Sequence, residues 1–305
     1  MENIFSIRLR PCIGRMKDRW GMVQEIRLRA NQPLLIKMDG KEWMIHKNGS
    51  LCKDKGEAVR VFQQDIQESM SYICQYSLYA YENEMRQGYI TIQGGHRIGI
   101  AGQVALEENR VISICHISSM NIRVAHSVKG CGTSVFDYLW EGDRPCHTLI
   151  LSPPGFGKTT LLRDLIRLFS DGTKRHAGMS VGVVDERSEV AACYMGKAQR
   201  DVGMRTDVLD NCPKSIGIEM IVRSMAPRLL AFDELGGATD LKAVQYAIHS
   251  GCSVLTTMHG SGNLKDIGED MKHLFERFVF LNDWNAKERV RYISDASGKI
   301  LYKAV

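Results

Sequence analysis

The sequence contains no apolar run of about 18 residues, the length that a helix needs to cross the hydrocarbon core of a bilayer. Its N-terminus lacks a basic segment followed by an apolar core, so we expect no secretory signal. The nine cysteines are scattered, odd in number and include no Cys-x-x-Cys pair. This usage favours reduced thiols and argues against a disulfide framework or a zinc site. We therefore expect a cytoplasmic protein without a membrane span.

The chain also lacks low-complexity tracts, an internal repeat and a strong charge of either sign. Its net charge of +5 permits contact with nucleic acid or an anionic membrane surface but indicates neither. What remains is an ordinary globular composition, 44% hydrophobic and 25% charged. At 305 residues, the chain is long enough for two domains that each bury a core.

The most informative stretch follows the apolar run 148–151 and precedes an amphipathic segment. Leucine and phenylalanine recur there at helical spacing, so the order is strand, glycine-bearing loop and helix. That is the setting of a phosphate-binding loop, whose backbone N–H groups and helix dipole face an anion. Lys158 is expected to reach the β- and γ-phosphates of ATP, and the Thr159 hydroxyl to bind Mg²⁺. The predicted nucleotide-binding residues are Ser152, Pro153, Pro154, Gly155, Phe156, Gly157, Lys158, Thr159 and Thr160.

Ser152 departs from the usual pattern, G-x-x-x-x-G-K-[ST], because it occupies the first glycine position. A serine can start the turn if its backbone angles are ordinary. The alternative interpretation is a glycine- and proline-containing turn before a surface helix.

Strands and helices are distributed differently in the two halves. Residues 1–125 read as an α+β domain with an antiparallel sheet, including a helix over 57–81 and separate strands at 111–114 and 121–124. Residues 126–146 read as a linker. In residues 147–305, strands alternate with helices, which predicts a mostly parallel sheet with ligands at the carboxyl ends of its strands. The stretch 190–214 is interpreted as irregular.

A second acidic site follows the apolar strand 229–232. Asp233 is expected to hold Mg²⁺, commonly through a water, and Glu234 to polarise the attacking water. Taken alone, two carboxylates after a strand are often only a solvated turn. Their position after a phosphate loop favours the catalytic interpretation.

Two further groups follow strands. Asp185 and Glu186, with Glu189, form another acidic cluster, for which the alternative is an exposed helix start. His259 is placed to sense the γ-phosphate or to orient a neighbour, or it is simply bonded within a loop. A possible nucleic-acid patch near the C-terminus has a solvated hairpin face as its alternative; it consists of Trp284, Lys287, Arg289 and Arg291.

With these motifs in order, the chain resembles the secretion-ATPase branch of the P-loop fold, and most closely the stage III sporulation protein AA family. The resemblance rests on residues 152–160, 184–189, 205–210, 223–227 and 233–237, and it extends to 93–102 and 119–125. It implies a RecA-like ATPase domain preceded by a smaller α+β domain, together with ATP and Mg²⁺ as ligands. The acidic cluster lacks the Thr-x-Glu-Asp form of the secretion ATPases.

The resemblance also implies a cytoplasmic, peripherally membrane-associated protein of the mother cell. It would form a homo-oligomeric ring, a hexamer by likeness, and act on membrane proteins of a sporulation channel complex. Secretion ATPases use arginines of the first domain at the nucleotide, which points to Arg97 and Arg123. Both could instead pair with surface acids, with Arg205 and Arg223 as rival donors. No nucleic acid is expected, although a P-loop ATPase that binds or remodels single strands is the alternative.

Overall fold

The computed structural model describes residues 1–77, 81–108, 110–126, 128–260, 263–264, 267–283, 286 and 288–304. The chain divides into two compact units, Met1–His126 and Ser127–Val305, which we call the N-terminal and the C-terminal unit. Within the described ranges, no helix combines the length and the apolar character that crossing a bilayer requires.

The N-terminal unit is built on an antiparallel sheet, as the sequence predicts. Its strand order is β4-β3-β2-β1-β7-β6-β5. The strands are β1 Val23–Arg29, β2 Leu35–Met38, β3 Lys41–Ile45, β4 Leu51–Cys52, β5 Tyr89–Ile92, β6 His96–Glu107 and β7 Arg110–Arg123. The helices are α1 Arg10–Gly14, α2 Gln63–Ile73 and α3 Glu82–Arg86.

The two faces of this sheet differ because side chains alternate along each strand. Ile26, Ile98 and Ile122 lie in one row of paired residues and are buried. The neighbouring row, which points the other way, pairs Arg97 with Arg123 and Arg123 with Glu25. One face therefore forms the core and the other carries charge.

Two segments of this unit differ from the sequence prediction. Helix α2 is shorter than 57–81. Ala58 and Arg60 form β-bridges to His46 and Pro33, so this part of the chain is extended. The helix begins after Phe62, whose N–H donates to the Asp65 carboxylate. The segments expected as separate strands at 111–114 and 121–124 form the single strand β7. Strands β6 and β7 continue to pair with each other, as a two-stranded ribbon, beyond the residues at which they pair with β5 and β1.

The C-terminal unit contains the predicted, mostly parallel sheet. Strands β12, β11, β13, β14, β10 and β15 run parallel, and β16 and β17 follow antiparallel at one end. The strands are β8 Trp140–Glu141 and β9 Arg144–Pro145, which form a separate ribbon, then β10 Thr148–Ser152, β11 Val181–Asp185, β12 Thr206–Asp210, β13 Leu229–Phe232, β14 Ser253–His259, β15 Arg277–Leu281, β16 Val290–Asp295 and β17 Ile300–Lys303. The helices are α4 Lys158–Asp171, α5 Lys214–Met225, α6 Ala238–His249 and α7 Glu269–Leu274.

Apolar side chains cover both faces of this sheet, which is why its central strands read as continuous apolar runs. Helix α4 packs on one face with Leu161 and Leu165, and Val135 and Phe136 join the same core. Helices α5 and α6 contribute to the core on the other face. Part of the stretch predicted as a linker is thus packed into the C-terminal unit.

Strand β12 lies in the stretch that was interpreted as irregular, and that interpretation is wrong for residues 206–210. It is an edge strand whose side chains are mostly half-buried, so it lacks an apolar run. Its pairing with β11 places Asp210 beside Asp185 at the carboxyl edge of the sheet. Strands β10, β11, β13 and β14 all end at this edge, where the predicted site residues follow them.

Candidate active site

The loop after β10 has the backbone that a phosphate loop requires. Gly155 and Gly157 have φ of 81° and 86°, a region that side chains other than glycine rarely occupy. Gly157 precedes α4 and its carbonyl accepts the N–H of Leu161. Ser152 is not among the residues with positive φ, so serine is compatible with its position. The loop and the first turn of α4 line a cavity of about 570 Å³.

Lys158 is almost completely buried at the floor of this cavity. Its ammonium group donates to the carbonyl oxygens of Ser152 at 2.9 Å and Pro153 at 3.1 Å, and it lies 2.9 Å from Nδ1 of His259. Burial lowers the pKa of Lys158, and the carboxylates of Asp233 and Glu234 act in the opposite direction. A phosphate group with negative charge is a stronger partner for this ammonium than neutral carbonyls are.

Asp233 joins the phosphate loop to two neighbouring strands. The Thr159 hydroxyl donates to its Oδ2 at 2.5 Å, and the Thr257 hydroxyl donates to its Oδ1. Hard cations such as Mg²⁺ prefer oxygen ligands, and Mg²⁺ on nucleotides often takes only one or two protein groups. Among the described residues, no cluster of three or more His, Cys, Asp and Glu forms a cation cage. The Thr159 hydroxyl and the Asp233 carboxylate therefore fit Mg²⁺ that is shared with a nucleotide.

Glu234 has an unusual backbone, with φ of 57°. Its N–H donates to the Thr257 hydroxyl at 2.9 Å and to Asp233 Oδ1 at 3.0 Å. Its carboxylate faces the cavity, where Oε2 lies 2.6 Å from Arg187 Nη1 and Oε1 lies 3.4 Å from His259 Nε2. Because Nδ1 of His259 accepts from Lys158, the proton of the neutral ring belongs on Nε2, towards Glu234.

Asp185 and Glu186 lie beside this cavity and bond elsewhere. Asp185 is buried and accepts the N–H groups of Glu189, Val190 and Ala191, so it shapes the turn after β11. Burial, with the neighbouring Asp233, raises its pKa. The Glu186 carboxylate pairs with Lys214 at 2.7 Å. Asp185 is not at an exposed helix start, and a catalytic role for either carboxylate stays a prediction.

Besides Thr257, which bonds to Asp233, the sequence analysis missed Arg187. It lines the cavity together with Lys158 and Thr159. Its position directly after Asp185 and Glu186, at a strand end, was the available signal.

Of the four arginines considered in the sequence, Arg97 and Arg123 are paired residues of β6 and β7. Arg97 stacks on the ring of Tyr89, 3.5 Å from the centroid, within the N-terminal unit. Arg205 precedes β12 and donates to the carbonyl of Ser170 at 2.9 Å. Arg223 lies in the last turn of α5 and contacts the Tyr246 hydroxyl at 3.2 Å. The last two arginines are at the amino edge of the parallel sheet, so they do not reach the phosphate loop.

The suggested nucleic-acid patch is only partly described. Trp284 and Lys287 lie outside the described residues. The Arg291 guanidinium lies 5.6 Å from the ring centroid of Tyr292.

Comparisons with known proteins agree with this architecture. A family model described as "Sporulation stage III, protein AA" matches residues 1–301. Stage III sporulation protein AA of Bacillus subtilis (strain 168) is 36% identical over 293 residues, covering 93% of this chain and 91% of the relative.

Two solved structures share the fold. The Legionella pneumophila ATPase DotB has a TM-score of 0.57 at 16% identity and covers 93% of this chain and 79% of its own. The pilus retraction motor PilT with bound ADP has a TM-score of 0.57 at 13% identity and covers 88% of this chain and 76% of its own.

Proposed function

Because the chain belongs to the sporulation stage III protein AA family, we propose that it is a Mg²⁺-dependent ATPase of the secretion-motor type. Its work would be to drive the assembly or operation of a channel complex between mother cell and forespore during endospore formation. The ATPase part rests on one observation, the convergence of Lys158, Thr159 and Asp233 in a single cavity.

Each group has a task in binding ATP. The N–H groups of the loop and of the first turn of α4 hold the phosphates, and Lys158 leaves its two carbonyl partners to bind the β- and γ-phosphates. Thr159 and Asp233 would hold Mg²⁺, which would neutralise charge that develops on the phosphate oxygens. Thr257 keeps the Asp233 carboxylate in place.

Hydrolysis requires an oriented water, and Glu234 accepts its hydrogen bond. The water oxygen bonds to the γ-phosphorus while the bond from phosphorus to the β–γ bridging oxygen breaks. The electron pair leaves with ADP, and the proton of the water ends on the released phosphate. His259 connects Lys158 with Glu234 and therefore aligns the carboxylate with the bound phosphates.

We further propose a homo-oligomeric ring, a hexamer by resemblance, that lies against the mother cell side of the membrane and acts on its membrane proteins. In this ring, Arg97 and Arg123 would complete the nucleotide site. Their adjacency in one row of the sheet supports a shared task, because both side chains emerge from the same face.

A second candidate is an ATPase that acts on single-stranded nucleic acid. Its support is a separate cavity of about 550 Å³ lined by Lys272, Arg291 and Lys303, with no acidic side chain among its described lining residues. Stimulation of ATP hydrolysis by single-stranded DNA would favour this candidate over the channel motor.

The proposed ATPase is tested with two variants of the full chain. Lys158→Ala should lose nucleotide binding, because the phosphates lose a buried counter-charge. Glu234→Gln should bind ATP within about threefold of the wild type but turn over about 10²–10⁴-fold more slowly, because the acceptor that orients water is gone. The control is Glu269→Gln, which removes an exposed carboxylate that pairs with Lys272 at 2.7 Å.

Fluorescent-nucleotide binding and phosphate release give the two measurements. Wild-type turnover in Glu234→Gln would remove Glu234 from its assigned role. Undiminished ATP binding by Lys158→Ala would contradict the assignment of the loop.

A further inference from the structure

The turn that follows β11 is fixed from three sides. The Asp185 carboxylate accepts three of its N–H groups, at 2.8–3.0 Å. Arg163 of α4 donates to the carbonyls of Glu189 at 2.6 Å and Val190 at 2.5 Å. The Ser188 hydroxyl donates to the Asp210 carboxylate at 2.5 Å, and the Ser188 backbone has a φ of 51°. The backbone that carries Arg187 is therefore tied to α4, β11 and β12.

The side chain of Arg187 is free to change partner while this backbone stays in place. It is 61% exposed and forms an ion pair with Glu234 at 2.6 Å. Its neighbour Glu186 is held by Lys214. A guanidinium group carries five N–H donors and matches phosphate oxygens in a two-pronged arrangement.

The charges that line the cavity explain why Arg187 would exchange Glu234 for a phosphate group. Its described lining carries the cations Lys158 and Arg187 against the carboxylates of Glu189, Asp233 and Glu234. A triphosphate brings additional negative charge within reach of Arg187. The carboxylate of Glu234 and the γ-phosphate then compete for the same guanidinium, and the phosphate carries the higher charge.

We propose that Arg187 recognises the γ-phosphate and thereby controls Glu234. Before ATP enters, Arg187 engages the Glu234 carboxylate; when the γ-phosphate arrives, Arg187 transfers to it and Glu234 becomes available to orient water. ADP lacks the group that attracts Arg187, so Glu234 stays paired. This inference rests on the proposed ATPase and adds how the same site distinguishes ATP from ADP.

The test compares Arg187→Ala, Arg187→Lys and a matched control in the full chain. The control is Arg175→Ala, which removes an arginine that is 77% exposed and pairs with Asp137 at 2.6 Å, the same separation as Arg187 and Glu234. Arg175 follows the C-terminus of α4, at the opposite edge of the sheet, and lies outside the described cavity lining. Affinities for a non-hydrolysable ATP analogue and for ADP are measured with turnover.

For Arg187→Ala, we expect affinity for the ATP analogue to fall about tenfold, as for a lost hydrogen bond to a charged group. ADP affinity should stay within about twofold, and turnover at saturating ATP should fall about 10²–10³-fold, as for a lost donor at the reacting group. Arg187→Lys should lose less affinity for the ATP analogue and less turnover than Arg187→Ala. Lysine keeps the positive charge but lacks the two-pronged hydrogen bonding of the guanidinium.

The ratio of ATP to ADP affinity separates recognition from a structural effect, which would weaken both nucleotides together. Suppose that the wild type favours ATP, and that Arg187→Ala has the same ratio of ATP to ADP affinity and the same turnover as the wild type. The inference about Arg187 is then wrong, while the proposed ATPase activity is unaffected. If the wild type binds neither nucleotide, the proposed function fails and the inference fails with it.

Discussion

Lys158 and His259 are in contact, with the ammonium nitrogen 2.9 Å from Nδ1 of the imidazole. The contact joins a residue that begins α4 to the residue that ends β14. Since the other ring nitrogen faces Glu234, the imidazole lies between the proposed phosphate-binding group and the group proposed to orient water. A functional role for His259 stays a prediction.

The first prediction concerns His259→Ala. The Lys158 ammonium stays available to the phosphates without the imidazole, so ATP affinity should change by less than about threefold, while turnover should fall about tenfold or more. Hydrogen bonds to charged groups contribute about 1.5–3 kcal/mol, which corresponds to that loss. The matched control is His249→Ala at the end of α6. Equal turnover in wild type and His259→Ala would show that Glu234 needs no alignment from the imidazole.

The second prediction is that activity requires self-association. The described lining of the cavity contains more carboxylates than cations, so one subunit provides limited positive charge for a triphosphate. Specific ATPase activity should therefore rise with protein concentration, in parallel with the mass measured by light scattering. Full activity in a sample that remains strictly monomeric would exclude this dependence.

The third prediction concerns Arg97 and Arg123, which are partners across β6 and β7. If they complete the site, each change to alanine should reduce turnover of the assembled protein by about 10³-fold or more, the lower end of the effect of an arginine supplied to the γ-phosphate. ATP affinity and folding should be retained. Arg110→Ala at the other end of β7 is the control. Changes below about threefold in both variants would transfer the role to arginines of the C-terminal unit.

The fourth prediction concerns stability and pH. Asp65 is buried and accepts hydrogen bonds from Ser6, Phe62 and Arg8. Burial raises its pKa, but these bonds outweigh burial and the pKa lies below its usual value. A lowered pKa means that the carboxylate stabilises the fold above its unfolded pKa, about 3.9, and that this contribution is lost as pH falls through the folded pKa.

Asp65→Asn should accordingly lower the free energy of unfolding by about 1–3 kcal/mol at neutral pH, because the amide keeps one acceptor oxygen and places an NH₂ group against donors of the other. The difference from wild type should shrink as pH falls below about 4. Urea unfolding followed by circular dichroism measures it, with the exposed Asp143→Asn as control. A difference that is constant from pH 7 to pH 3 would show that the charge of Asp65 does not contribute.

The sequence predicted what depends on local order. Apolar runs that end in a phosphate loop, in Asp233 and in His259 identify strands of a parallel sheet, and such strands bring their carboxyl ends together. It could not predict β12, because an edge strand with half-buried side chains has no run to recognise. The family-level fold is confirmed by the comparisons, whereas the catalytic assignments stay predictions.

The sequence also could not assign the partners of charged side chains. Asp185 and Glu186 have similar chemistry and adjacent positions, yet one organises a turn and the other pairs with Lys214. Arg187 differs because its own contact is with Glu234. These choices depend on where α4, α5 and β12 place donors in space, which local sequence patterns do not encode.

The positive φ of Glu234 has a consequence for attempts to make this protein more heat-resistant. A glutamate in that conformation stores about 1–3 kcal/mol of backbone strain, and glycine would relieve it. Glycine would also delete the carboxylate that faces the cavity. If Glu234 orients water as proposed, selection by melting temperature alone would favour an inactive protein, because stability and turnover then favour different residues at this position.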